Sequence, residues 1–272
     1  MKQLRAIRVL MGALFLLGVA VCLLLGTHVH PMARMAGAVQ ILVSASAVSA
    51  GVALFWLAVT FVFGRLYCAS VCPVGVLSDI FLRVRRRIPR LNRPFTFRAR
   101  SRLDVPLLWI YVVCVMVGLS VVVFAVQPYN IARNMASAMR PALTEATWGT
   151  LGLGAAVGIA TGVVSFIIIA VTSVLRGREF CTRWCPLGTA LGIVQERALM
   201  HIEFDPDRCR SCGLCEARCR AQAIKMVSRY VDQTRCVRCF DCVADCPNGA
   251  IKYQLNRNRP ASPLMRKVGS KQ

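Results

Sequence analysis

"GRLYCASVCPVG" occupies Gly64–Gly75, and "GREFCTRWCPLG" occupies Gly177–Gly188. Both spell Gly-Arg-x-aromatic-Cys-x3-Cys-Pro-x-Gly, and each follows a long apolar stretch. The spacing matches neither a zinc finger nor the four-cysteine ferredoxin run. The meaning of the pattern therefore depends on where the two copies sit.

The chain of 272 residues is 56% hydrophobic yet carries a net charge of +22. These properties occupy different segments. Residues 9–27, 41–64, 105–126 and 151–175 contain no Asp, Glu, Lys or Arg. Each is long enough to cross a hydrocarbon core of about 30 Å as a helix rising about 1.5 Å per residue. Four transmembrane helices are expected. Lys2, Arg5 and Arg8 precede the first, but no small-residue cleavage site follows, so it reads as a retained helix rather than a signal peptide.

Arginines set the orientation. The first loop has only Arg34 and the third only Arg133 and Arg140. The second is crowded with them, among them Arg65, Arg83, Arg85, Arg86, Arg87, Arg90, Arg93, Arg98, Arg100 and Arg102, and the segment beyond the fourth helix is basic throughout. The positive-inside rule places both termini and the second loop in the cytoplasm of a bacterial inner (cytoplasmic) membrane protein. Arginines flanking spans, without an aromatic-interleaved stripe, read as topology determinants and anionic-lipid contacts; nucleic acid is not expected as a partner.

The fourteen cysteines sit mostly in cytoplasm-facing segments, where metal binding is a better reading than disulfides. Cys209, Cys212, Cys215 and Cys219 give C-x2-C-x2-C-x3-C, and Cys236, Cys239, Cys242 and Cys246 repeat it, followed by Pro247. In the bacterial ferredoxin run the fourth cysteine ligates the other cluster. One [4Fe–4S] cluster is then assigned to Cys209, Cys212, Cys215 and Cys246, and the second to Cys236, Cys239, Cys242 and Cys219. Matches at an offset of 27 extend the repeat: Asp205/Asp232, Arg208/Arg235, Ala223/Ala250, Ile224/Ile251 and Lys225/Lys252. Ile202–Phe204, Ala223–Met226 and Ala250–Tyr253 are expected as short strands. Two zinc sites are the competing reading, which two complete runs with this pseudo-symmetry disfavour. Arg220 departs from the pattern, standing where the first run would carry proline.

The two Cys-x3-Cys-Pro copies fall after the second and fourth spans, so the chain reads as a duplicated helix–helix–motif unit with a ferredoxin module appended. Cysteines at i and i+4 share one helix face, and the following proline breaks or restarts the helix. Residues 76–84 and 187–199 are expected as amphipathic helices along the membrane surface. Three readings stand for Cys68, Cys72, Cys181 and Cys185: a further iron–sulfur cluster held jointly, redox-active or metal-relaying thiols, or buried cysteines that pack the helix ends. Cys22 and Cys114, alone in their spans, read as packing residues.

Four spans, "CASVCPVG", "CTRWCPLG", "CRSCGLCEARC" and "CVRCFDCVADCP" together resemble the NapH-type membrane ferredoxins. These are quinol dehydrogenase components associated with periplasmic nitrate reductase systems. The wider group takes in the nitrous-oxide reductase regulators, the methylamine-utilisation ferredoxin and the cytochrome-oxidase accessory proteins. Lacking a flavin-bearing domain before the first span and an immunoglobulin-like domain after the clusters, the chain is expected to be the minimal form. The resemblance implies an α-helical polytopic membrane domain over 1–199, a small α+β 2×[4Fe–4S] domain over 200–256, and a disordered basic tail over 257–272. It further implies electron transfer between the quinone pool and a periplasmic or membrane-bound ferredoxin, cytochrome or reductase partner.

The alternative function is a maturation or regulatory factor supplying electrons or metal for a periplasmic metalloenzyme. No nucleotide-binding glycine loop, nucleophile–base pair or paired carboxylates are visible, so quinol oxidation is the one catalytic role in view. The candidate quinone-site residues are thin: Gln40, His28 and His30 near the first loop, and Gln127 with Tyr129 after the third span. All fall on the face away from the clusters.

Overall fold

A computed structural model describes residues 2–25, 47–91, 93–101, 103–117 and 153–255. Gln40, His28, His30, Gln127, Tyr129 and the 257–272 tail lie outside them. Four strongly apolar helices frame the architecture: α1 (Lys2–Leu25), α2 (Ala47–Phe63), α5 (Asp104–Met116) and α6 (Leu153–Arg176). Between them lie α3 (Leu66–Ser70) and α4 (Pro73–Arg87). After α6 comes one π-helical turn (Phe180–Trp184), then α7 (Pro186–Glu196). Among the described residues one helix, over Gln3–Ala20, is long and apolar enough to cross a membrane; Gly51–Phe63, Asp104–Cys114 and Ala160–Arg176 are shorter apolar helices.

The same local rules end and restart the helices in both copies. Gly64 and Gly177 adopt φ +82° and +71°, and their N–H groups donate to Thr60 O and Ser173 O. A left-handed residue just past the last turn is what glycine supplies most cheaply. Cys72 and Cys185 then sit extended, as residues before proline must, with Pro73 and Pro186 opening α4 and α7.

The copies pack crosswise. α4, from the first copy, lies against α6 of the second, while α7 of the second lies against α2 of the first; α1 covers α3 and α4, and α5 covers α7. A shared core forms from Trp56, Tyr67, Ile169 and Leu191, with the Trp56 and Tyr67 rings edge to face at 5.0 Å. The expected surface helices also pack against other helices of the protein. α4 buries Val74, Val76, Asp79 and Leu82 within the protein, and α7 buries Leu191 and Gln195. Ile80 and Val84 of α4 and Ile193 of α7 remain exposed.

The C-terminal module consists of β1 (Met200–Phe204), α8 (Leu214–Arg218), β2 (Ile224–Lys225), β3 (Tyr230–Val231), α9 (Asp241–Ala244) and β4 (Ile251–Leu255). β1 and β4 pair antiparallel, Met200 opposite Leu255 and Phe204 opposite Ile251; β2 and β3 form a second antiparallel pair. The three expected strands are present with shifted ends, and β3 is additional. The core is Ile202, Ile224, Val237, Val243 and Ile251 together with cysteine side chains.

The repeat of 27 is visible in the backbone. Left-handed residues come in pairs at that offset: Ser211 and Arg238, Gly213 and Phe240, Gln222 and Gly249. Asp205 N–H donates to Ala250 O as Asp232 N–H donates to Ala223 O, each at 2.7 Å. Four of these six left-handed residues are not glycine, a conformation non-glycine residues adopt only when surroundings impose it.

Candidate iron–sulfur sites and their junction

Two cavities in the module are walled by the two cysteine sets. Cys219, Cys236, Cys239 and Cys242 line one, with Ile202, Ile224, Val237 and Phe240 closing it. Cys209, Cys212, Cys215 and Cys246 line the other, with Pro247 and Met226. The exchange of the fourth cysteine between runs is thus present in the geometry: Cys219 stands with the second run and Cys246 with the first. Ala223 N–H and Ala250 N–H each donate at 3.3 Å to the sulfur of the fourth cysteine of their own run, Cys219 and Cys246. Among the described residues no three His, Cys, Asp or Glu side chains converge tightly enough for a single metal ion. Sulfurs spread around an apolar hollow suit a cuboidal cluster better than one zinc.

Burial pushes these thiols up. Cys219 is pushed to about 12, and Cys239 and Cys215 to about 11; Cys242 lies well above its ordinary value. Thiolates in such sites need a cationic partner, which iron supplies by displacing the proton. The donor set fits iron–sulfur clusters. The inner cavity is enclosed, whereas Cys212 of the outer one is exposed.

The Cys-x3-Cys-Pro copies meet at the base of the module. Cys68, Cys72, Cys181 and Cys185 are all buried, and their fields reach one another: after burial, Cys181, Cys68 and Cys185 each help raise Cys72. Burial likewise lifts Cys181 to about 11 and Cys185 to about 12. The expected continuous helix face is absent. The helical turn stops between the cysteines, and Cys72 N–H and Cys185 N–H reach back five residues to Tyr67 O and Phe180 O, each at 2.9 Å.

The arginine of each Gly-Arg opening crosses to the other copy. Arg65 donates to the carbonyl of Gly188, and Arg178 donates at 2.9 Å to the carbonyls of Gly75 and Cys68. Both guanidinium groups are fully buried. Gly75 and Gly188 are needed where they stand, because a Cβ there would run into the carbonyl of Cys68 or Cys181. Most shared letters of the repeated pattern thus have a structural role. The first glycine ends the helix, the arginine ties the copies, and the cysteines meet. Proline restarts the chain, and the last glycine admits the turn.

The module docks on this junction through its inner side. Arg65 also donates to Thr234 O at 2.7 Å, and Gln195, fully buried, takes Arg65 N–H and donates to Cys236 O. Gly64 and Gly177 touch Arg238 and Arg220 O, with no room for a side chain. Arg220, the departure from the ferredoxin run, forms buried ion pairs with Asp79 at 2.8 Å and Asp241 at 2.6 Å. Asp79 also binds Arg8 and Arg178, and Asp241 binds Arg5. Although burial works the other way, Arg178, Arg220 and Arg8 hold the Asp79 carboxyl well below the usual range.

Sequence reasoning missed this clamp. Arginine in the second loop reads as topology, yet Arg85 lies over the Phe95 ring at 4.3 Å, and Arg98 pairs with Glu179. Residues 93–101 run along the module, where Phe95 N–H and Arg98 N–H donate to Ala217 O and Gln222 O. The break in the ferredoxin pattern at Arg220 was the available signal.

The fold and the two cysteine-lined hollows define a ferredoxin-type iron–sulfur protein. A 4Fe–4S binding domain matches residues 47–92 and 159–202, so each match carries one Cys-x3-Cys-Pro copy, and a second 4Fe–4S binding domain matches residues 202–225. The chain is 25% identical to an uncharacterized protein of Methanocaldococcus jannaschii, over 71% of this chain and 65% of that one. It is 23% identical to the putative electron transport protein YccM of Escherichia coli, over 71% of this chain and 51% of that one. It is 23% identical to the ferredoxin-type protein NapH of Haemophilus influenzae, over 70% of this chain and 62% of that one. The chain thus spans between half and two thirds of these relatives. No solved structure matches it. The chain is thus similar to ferredoxin-type proteins, and 4Fe–4S binding domains match part of it.

Proposed function

We propose that this protein is a membrane-bound iron–sulfur electron carrier that passes electrons between the quinone pool and a redox partner of a respiratory system. The observation that carries the reading is the sorting of eight cysteines into two separate hollows, one enclosed against the junction and one reaching the surface. Iron–sulfur clusters supply single-electron oxidation and reduction. The ligands are Cys219, Cys236, Cys239 and Cys242 for the inner site, and Cys209, Cys212, Cys215 and Cys246 for the outer. The chain's own contribution is to fix the inner site over the junction through Gln195, Arg65 and Arg220, and to leave Cys212 facing a partner.

Cys68, Cys72, Cys181 and Cys185 form a third iron–sulfur site in this reading. Two buried guanidinium groups, Arg65 and Arg178, supply positive charge beside Cys68 and Cys181, and each 4Fe–4S family match contributes one pair. Burial of all four disfavours the alternative of thiols that hand metal to another protein, because exchange needs access. Iron and sulfide analysis with redox-titrated EPR tests the count. About twelve irons per chain are expected; about eight would leave the junction cysteines as packing.

Four spans with both termini cytoplasmic complete the proposal, dividing the chain at about residue 199. Supporting it, Leu10, Leu14 and Leu17 on α1, Leu54 and Phe55 on α2, Trp109 and Ile110 on α5, and Val164 and Ile167 on α6 are exposed, as lipid-facing residues would be. Arg5 of α1 reaches Asp241 and Asp245 of the module, which puts the start of α1 on the module's side. Nitrate respiration is one system such a carrier serves. Purified protein in nanodiscs, given decylubiquinol, is expected to show cluster reduction. A strain lacking the protein that accumulates an immature periplasmic metalloenzyme while quinol-linked reduction is intact would favour the maturation role.

A further inference from the structure

The expected quinone-site residues lie outside the described residues, but a cavity among the described residues adjoins the junction cysteines. A crevice of about 310 Å³ opens between α1 and α4, within the size range of small-molecule sites. Its floor is made of small and apolar residues, including Gly12, Ala13 and Ala69, and its inner end carries Arg8 and Asp79. Ala69 is the residue after Cys68, so the crevice abuts the junction directly.

Arg8 gives the crevice a chemical preference. The side chain is only 4% exposed, and its Nη1 is committed to Asp79 at 2.9 Å. Its Nε–H has no hydrogen-bond partner among the described residues. An unpartnered buried donor is costly, roughly 1–3 kcal/mol, and a site that retains one asks for an acceptor. The rest of the wall offers no acceptor besides Asp79, which already holds three arginines. The fitting ligand is flat and apolar, bears a carbonyl oxygen and enters from the hydrocarbon beside Leu17 and Ala20.

We propose that this crevice seats the headgroup of a membrane quinone, with Arg8 Nε–H donating to a ring carbonyl and the tail leaving along α1. The proposal rests on the quinone reading above. A phospholipid is the rival occupant, but its charged phosphate would suit Arg83 at the exposed rim better than a single donor at the apolar inner end.

The test uses the full protein in nanodiscs, with equilibrium binding of decylubiquinone and of a short-tailed naphthoquinone. Ala13→Trp fills the crevice from the lipid side without touching the Arg8–Asp79 pair. Arg8→Lys keeps the charge but removes the Nε–H. Each is expected to weaken binding of the favoured quinone at least tenfold with iron content unchanged. Wild-type affinity in Ala13→Trp overturns the site, and if that variant still accepts electrons from decylubiquinol, the electron-carrier reading survives without it. A phospholipid retained in native mass spectra of the wild type, and not displaced by either quinone, also overturns it. Failure of the wild type to bind either quinone or to exchange electrons with the quinol overturns both readings together.

Discussion

The junction and the ferredoxin module are both built from two copies of a cysteine motif, yet they close in opposite ways. In the module the fourth cysteines are exchanged: Cys219 and Cys246 each leave their own run and stand in the other hollow. In the junction the cysteines stay with their copies and the scaffold is exchanged, Arg65 binding Gly188 and Arg178 binding Gly75. Exchanging the fourth cysteines yields two hollows from two copies. Exchanging the scaffold ties the two motifs to each other. The same duplication therefore sorts eight cysteines into two hollows in one region and gathers four buried cysteines beside a crossed scaffold in the other.

Cysteine substitution is expected to have the largest effect and to test that difference directly. Cys239→Ser should remove about four irons by breaking one complete ligand set, and Cys181→Ser should do the same at the junction while leaving the module's EPR signals in place. If Cys181→Ser retains all its iron, the junction is scaffold only and the parallel between the regions fails.

Next in size is the clamp between them. Asp79→Asn leaves Arg8, Arg178 and Arg220 buried with a weakened partner, and a cost of about 3–5 kcal/mol is expected, read as a lowered unfolding midpoint in detergent. The Asp79 carboxyl is held below its ordinary value in the folded protein. Its contribution is therefore complete above the unfolded value of about 3.9 and is lost as pH falls further. Wild-type stability should drop below about pH 4, and Asp79→Asn should flatten that part of the profile.

Gly75→Ala and Gly188→Ala should resemble each other, each forcing a Cβ against a motif carbonyl at a cost of about 1–3 kcal/mol. Unequal midpoints would show that the copies are not mechanically equivalent. The smallest expected effect is Tyr253→Phe, which removes the 2.8 Å hydrogen bond to Phe63 O and about 1 kcal/mol with it. Circular dichroism melts would resolve the series.

The sequence exposed the cysteine sorting because ligand spacing is a local, repeated constraint, and it exposed the helices because charge is excluded from them. It did not expose the crosswise packing of α4 and α7, whose apolar faces would look the same against lipid as against protein. Nor did it expose the buried roles of Arg65, Arg178 and Arg220. An arginine that satisfies distant carbonyls leaves no periodic trace. Arg238 and Phe240, left-handed without glycine, were hidden for a similar reason: only Gly213 and Gly249 mark those turns by residue type.

The exchanged arginines also impose an order in time. Arg65 is synthesised long before either of its carbonyl partners, one of which, Thr234, lies 169 residues further along the chain. Until the ribosome has passed Gly188 the first Cys-x3-Cys-Pro copy has no counterpart, and until it has passed Thr234 it lacks its tie to the module. Domains usually fold as they emerge, at about 5–20 residues per second. Here the earlier half must wait some seconds in an unfinished state, so the four junction cysteines can come together only after the second copy has been made.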